Sequence, residues 1–246
     1  MVRAATLYAM NSDESASLSA SEGSATTVLE TVEISSGPNP SAAVIWLHGL
    51  GADGHDFEPL VPHLAWPGAP AIRYVFPHAP VRPVTVNGGM PMRAWYDILS
   101  MDSERGHDRA GIEQSISQVD ALLKREVDRG IPAARIILAG FSQGGAIALQ
   151  LGLSYPQKLA GLIILSSYLL FDNDLENRLH EANRHTAMFV GHGTQDPMVP
   201  FSMGQAVDHR LQSLAYPVEW HSYPMPHAVC QEEIDDIATW LKRQFD

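Results

Sequence analysis

Five short, mainly apolar runs decide what this chain can fold into: "AAVIWL" (42–47), "AIRYVFP" (71–77), "RIILAG" (135–140), "LAGLIILSS" (159–167) and "AMFVGHG" (187–193). None alternates polar with apolar residues, so each reads as a strand covered on both faces. Helical patterns separate them. Ile112, Ile116, Val119, Leu123 and Val127 share one helix face, which Gly130 and Pro132 bring to a stop. "QGGAIALQLGLSY" (143–155) follows the third run as a helix. Val207, Leu211 and Leu214 mark another, and Ile234, Ile237, Leu241 and Phe245 a closing one. "VLETVEI" (28–34) suits an edge strand and "VEWHSY" (218–223) a last strand, while Phe57, Leu60 and Leu64 recur at helical spacing. The stretch 79–102, rich in Pro and Gly, reads as an irregular excursion. Strand–helix alternation of this kind predicts an α/β fold, a mostly parallel central sheet with helices on both faces. There is no internal repeat and no second core, so residues 28–246 are expected to form one domain.

Residues 1–27 are set apart by composition. "NSDESASLSASEGSATT" (11–27) is rich in Ser and Ala and has no apolar periodicity, so a flexible tail is expected. The preceding "MVRAATLYAM" is a poor export signal, and no apolar run approaches the length of a membrane span. A cytoplasmic chain without stable membrane insertion is therefore expected. With 16 basic against 28 acidic residues, its net charge of −12 repels nucleic acid and anionic lipid. The single cysteine, Cys230, offers neither an internal disulfide nor a CxxC site, and no HExxH pair occurs among the eleven histidines.

In open parallel sheets, ligands bind beyond the carboxyl ends of the strands. There the chain carries "GFSQG" (140–144) between a strand and a helix. A phosphate cradle needs a following Lys-Ser/Thr or a GxGxxG fingerprint, and neither is present. A nucleophile needs a sharp strand-to-helix turn with small residues two positions either side of the serine. Gly140 and Gly144 meet that demand, and Gly145 and Ala146 let the helix approach the sheet. The helix N-terminus adds free N–H groups beside Ser142.

A serine hydroxyl needs a base, and the base needs an orienting carboxylate. For this kind of turn the chain order is Ser, then acid, then His. Asp196 alone among the later acidic residues lies just past an apolar strand, in "MFVGHGTQDPMVP". His227 follows the last strand, in "YPMPHAVC", whereas its rival His221 lies within the strand pattern. His192 is expected to shape its loop. For an oxyanion the donors are the backbone amides of Gln143, after the nucleophile, and Leu50, in the His48-Gly49-Leu50-Gly51 loop. His48 is expected to hydrogen-bond that loop. Gln143 is expected to act through its backbone, leaving its side chain less constrained.

Six ordered segments, "VIWLHGLGADGHDF", "RAWYDI", "AGIEQS", "ILAGFSQGGAIALQLGL", "LSSYL" and "FVGHGTQDPMVP", together with the His227 loop, resemble the small bacterial carboxylesterases and acyl-protein thioesterases of the α/β-hydrolase fold, once called lysophospholipases. The resemblance spans about 44–246. It implies the triad Ser142, Asp196 and His227, oxyanion amides on Leu50 and Gln143, and no metal or organic cofactor. It also implies an enzyme that hydrolyses carboxylic esters. Tyr168 stands where eukaryotic protein thioesterases commonly carry Trp, which is similar to the bacterial esterase branch. With no long helical insertion between "LSSYL" and "AMFVGHG", no large cap domain is expected. The open site then suits short to medium acyl chains, with acyl-protein thioesters or lysophospholipids as the alternative substrates and a non-catalytic binding module as the non-enzyme alternative. Trp95, Tyr168, Met198 and Val199 are candidates for pocket lining, against ordinary core packing. The oligomeric state stays open, a homodimer included.

Overall fold

The computed structural model describes residues 28–100 and 108–246; the tail expected over 1–27 lies outside them. The described residues form nine strands: β1 (Thr31–Ser35), β2 (Ala42–Leu47), β3 (Ile72–Pro77), β4 (Val81–Val84), β5 (Met90–Arg93), β6 (Ile136–Phe141), β7 (Gly161–Leu165), β8 (Met188–Gly193) and β9 (Val218–Tyr223). Four α-helices connect them: α1 (Arg109–Asp128), α2 (Gln143–Ser154), α3 (Phe201–Ser213) and α4 (Gln231–Phe245). The main sheet has the order β1-β3-β2-β6-β7-β8-β9. Only β1 runs antiparallel, on the edge beside β3; every other neighbouring pair is parallel.

The two faces of the sheet separate by strand parity. On β2, Ala43, Ile45 and Leu47 point to the side covered by α1, α2 and α3. Ala42, Val44 and Trp46 point to the side covered by α4 and by a 3-10 segment, Glu58–Leu64. Both sets are buried because both faces carry helices, which is why these strands show no polar alternation. The chain moves from β2 outward to β3 and then returns across β2 to β6. Strand order therefore reverses between β2 and β6, and the crevice past their carboxyl ends is the natural ligand position.

Two expectations need correction. The Phe57, Leu60, Leu64 spacing yields a 3-10 segment rather than an α-helix, with Pro at its start and Pro62 inside it. The stretch expected to be irregular contains a hairpin of β4 and β5 that pairs Val81 with Arg93 and Val84 with Met90. Pro83 and Pro91 face each other in it and argue against strand when read one at a time. Asn87-Gly88-Gly89 is the signal that reveals it, with φ of 68° at Gly88 and 76° at Gly89.

Candidate active site

Ser142 sits between β6 and α2 with φ 55° and ψ −122°, a backbone conformation strained for any residue with a Cβ. Three hydrogen bonds hold it there. Its N–H donates to the Leu165 carbonyl at 2.8 Å, and its own carbonyl accepts from Ser167 Oγ at 2.7 Å and from the Ala146 amide at 3.1 Å. The turn is as tight as the sequence requires. A Cβ on Gly140 would collide with the Gly144 carbonyl, and one on Gly144 with the carbonyls of Leu47 and His48. Helix α2 thus starts directly against the end of β2, next to the His48 loop.

Asp196 and His227 come together past β8 and β9. The Asp196 side chain has no solvent exposure. Its Oδ1 accepts the amides of Met198 and Val199, each at 2.8 Å, and its Oδ2 accepts His227 Nδ1–H at 2.6 Å. That bond leaves Nε2 as the nitrogen free to take a proton. The two loops are also tied to each other, since the Thr194 amide donates to Tyr223 O and the Gln195 amide to Met225 O. His227 keeps 18% of its side chain exposed. Its ring packs on Phe141, the residue before the serine, with centroids 4.7 Å apart. Among the described residues no hydrogen bond joins Ser142 Oγ to His227; such bonds are often long in ligand-free sites and tighten with substrate.

The loop after β2 is fixed by His48. Its Nδ1–H donates to the Gly49 carbonyl at 2.7 Å, and its Nε2 accepts the Ala79 amide at 3.0 Å. Those two bonds specify one neutral tautomer. Burial pushes its pKa down to about 4. The Gly51 amide is held by Arg93 O of β5. The amides of Leu50 and Gln143 have no acceptor among the described residues, as an anion-binding pair requires.

The Gln143 side chain is more constrained than expected. It is buried, its Oε1 accepts the Trp95 amide at 2.8 Å, and its Nε2 donates to Tyr96 O at 2.7 Å. The segment after β5 is thereby locked to the first turn of α2. Trp95 itself is fully buried, with its indole N–H on His48 O at 2.8 Å, so it braces the His48 loop rather than lining a pocket. Val199 is buried too and serves through its backbone. Met198 is 59% exposed. Tyr168 is half-buried, its hydroxyl 2.5 Å from that of Tyr96. His221 is engaged elsewhere, between Glu219 and Asp236 and stacked on Phe189. Sequence reasoning missed the roles of Tyr96, Ser167 and the Gln143 side-chain carboxamide, since each depends on a partner distant in the chain. Among the described residues no group of three or more His, Cys, Asp or Glu could share a metal ion, and no helix is long and apolar enough to cross a membrane.

A phospholipase/carboxylesterase family model matches residues 29–244. The chain is 38% identical over 232 residues to acyl-protein thioesterase 1 of Cryptococcus neoformans, covering 87% of this chain and 97% of that one. It is 40% identical over 216 residues to acyl-protein thioesterase 1 of Neurospora crassa, covering 83% and 87%. Among solved structures, Arabidopsis thaliana SOBER1 superposes with a TM-score of 0.78 at 30% identity, covering 83% of this chain and 99% of that one. The α/β-hydrolase fold agrees with these neighbours, and among the described residues no large cap is inserted. The bacterial branch suggested by Tyr168 gains no support from them, since these relatives are fungal and plant proteins.

Proposed function

The chain belongs to the phospholipase/carboxylesterase family and is a hydrolase of esters or thioesters, and we propose that it works through Ser142, His227 and Asp196 by an acyl-enzyme route. His227 Nε2 takes the Ser142 proton as Oγ attacks the acyl carbonyl. The Leu50 and Gln143 amides hold the oxyanion. His227 then returns the proton to the leaving oxygen or sulfur, and water, activated the same way, releases the acid. Asp196 fixes the His227 tautomer and stabilises the imidazolium. Residues 28–246 supply this machinery as one domain. The observation that carries the proposal is the 2.6 Å bond from His227 Nδ1 to Asp196, held beside the strained Ser142 turn.

The substrates are esters of short to medium acyl chains, reached through an open, uncapped site. A fluorophosphonate probe is expected to label Ser142 in the wild type and not in Ser142→Ala. Equal labelling of both proteins overturns the nucleophile assignment. A second reading, hydrolysis of acyl-protein thioesters, is favoured by the fungal relatives named acyl-protein thioesterase 1. A panel of nitrophenyl esters of increasing length, run beside an S-acylated peptide, separates the two. A higher kcat/KM on the long-chain thioester decides for the second.

A further inference from the structure

A buried histidine that this reaction does not use lies against the acid. His192 is the penultimate residue of β8. Its Nε2 is 2.9 Å from the Val199 carbonyl and 3.6 Å from Asp196 Oδ2. A carbonyl can only accept, so Nε2 carries the proton and Nδ1 is bare. Nδ1 is buried, has no partner among the described residues, and faces Gly204 of α3, where a Cβ would collide with the ring. Phe201, also of α3, closes on the imidazole edge-on at 6.1 Å.

Protonating Nδ1 would bury an N–H with no acceptor. Burial also lowers the His192 pKa, outweighing the Val199 carbonyl and Asp196, which pull it up; His227 adds to the lowering. The Asp196 and His227 side chains are the titratable groups that act on it, and from α3 Gly204 and Phe201 lie against it. His192 is therefore a neutral donor with one direction to point.

Asp196 has use for such a donor. Its carboxylate is out of solvent, and no Lys or Arg pairs with it among the described residues. While His227 is uncharged, only neutral N–H groups stabilise the negative charge. We propose that His192 is a positioning residue for Asp196: its Nε2–H, anchored on Val199 O, lies beside Oδ2 and supports the buried carboxylate when His227 carries no proton. Without that N–H, the carboxylate leans harder on His227, which then holds its proton to higher pH. The proposal rests on the Ser142–His227–Asp196 reading.

The test compares kcat/KM for nitrophenyl butyrate, over about pH 5 to about pH 9, in wild type, His192→Phe, His192→Gln and His192→Asn. Phe keeps the ring and loses the N–H; the Gln amide reaches the Nε2 position, and that of Asn is too short. Phe and Asn are expected to lower kcat/KM at neutral pH about tenfold, with KM little changed. They should also move the acid limb of the profile upward, while Gln keeps it near wild type. An unmoved acid limb in Phe and Asn, or Gln as impaired as Asn, overturns the proposal. If Phe does not fold, the Gln–Asn pair carries the comparison. Ser142→Ala and Asp196→Asn run alongside: activity retained in either refutes the triad itself, whereas loss in both with an unmoved limb refutes only the role of His192.

Discussion

The side chain of Gln143 holds the backbone amide of Trp95 at 2.8 Å across 48 positions of sequence. The same side chain reaches Tyr96 O at 2.7 Å, and the backbone amide of the same residue is a proposed oxyanion donor. One residue therefore joins the start of α2, next to Ser142, to the segment that backs the Leu50 loop. Gln143→Ala leaves a buried N–H on Trp95 and a buried carbonyl on Tyr96 unpaired. The expected cost is about 2–4 kcal/mol in unfolding free energy. Gln143→Glu can still accept from Trp95 but cannot donate to Tyr96 O while ionised, so it should be no better than Ala. Urea unfolding measures the first effect. A fall in kcat larger than any rise in KM, with either variant, ties the brace to oxyanion geometry.

His48 links acid stability to the Leu50 loop. Its folded-state pKa is pushed down to about 4 by burial, against 6.5 for an unburied histidine. Above about pH 6.5 neither folded nor unfolded chain holds the proton, and the contribution is fully present. As pH falls from about 6.5 to about 4, the unfolded chain takes up a proton that the folded chain refuses, and stability drains by at most about 3 kcal/mol. Protonated Nε2 would also confront the Ala79 N–H instead of accepting it. The urea midpoint of wild type should fall over that window. His48→Gln, which keeps an acceptor but does not titrate, should show a flatter dependence; equal slopes remove His48 as the cause.

At the alkaline end the corresponding group is Glu233. It lies in the first turn of α4, buried against Gly191 of β8, and neither carboxyl oxygen has a hydrogen-bond partner among the described residues. Burial, helped by the nearby charge of Asp236, raises its pKa from 4.5 to about 8. The folded protein then keeps a proton that the unfolded chain releases. Its contribution is complete below about pH 4.5 and is lost as pH rises to about 8, by at most about 4–5 kcal/mol. Glu233→Gln is an uncharged mimic of the protonated acid and should be the more stable protein at about pH 8 to 9. Thermal melts across pH compare the two, and parallel curves would leave Glu233 out of the linkage.

The two ends of the site were unequally legible in the sequence. Ser142, Asp196 and His227 could be picked out as candidates because each follows a strand, and strand position is written in a one-dimensional pattern. The brace behind them could not. Trp95 is apolar whether it walls a pocket or fills a core, and only the position of His48 O and the Gln143 side chain decides for the core. The β4–β5 hairpin was hidden by Pro83 and Pro91, although Asn87-Gly88-Gly89 announced its turn. For His192 a loop-shaping role was legible, and which of its two nitrogens meets a carbonyl was not.

The strain at Ser142 can be measured apart from its chemistry. At φ 55° and ψ −122° a side chain costs about 1–3 kcal/mol, and glycine costs little of that. Against this gain, glycine widens the unfolded ensemble by roughly 0.5–1 kcal/mol. Ser142→Gly should therefore be more stable than wild type by about 1 kcal/mol, a rise of about 2–4 °C in Tm for a chain of this size. Ser142→Ala keeps a Cβ in the same conformation and should melt close to wild type. Both lose the hydroxyl, so both should lose several orders of magnitude in kcat. Differential scanning calorimetry of the three proteins separates the effects. If Gly and Ala melt together, the positive φ stores no measurable strain. If Gly alone rises, the fold is giving up stability at this one residue to project the hydroxyl from the turn. The bonds that hold the turn, from Ser142 N–H to Leu165 O and from Ser167 Oγ to Ser142 O, involve only the Ser142 backbone and survive in both variants.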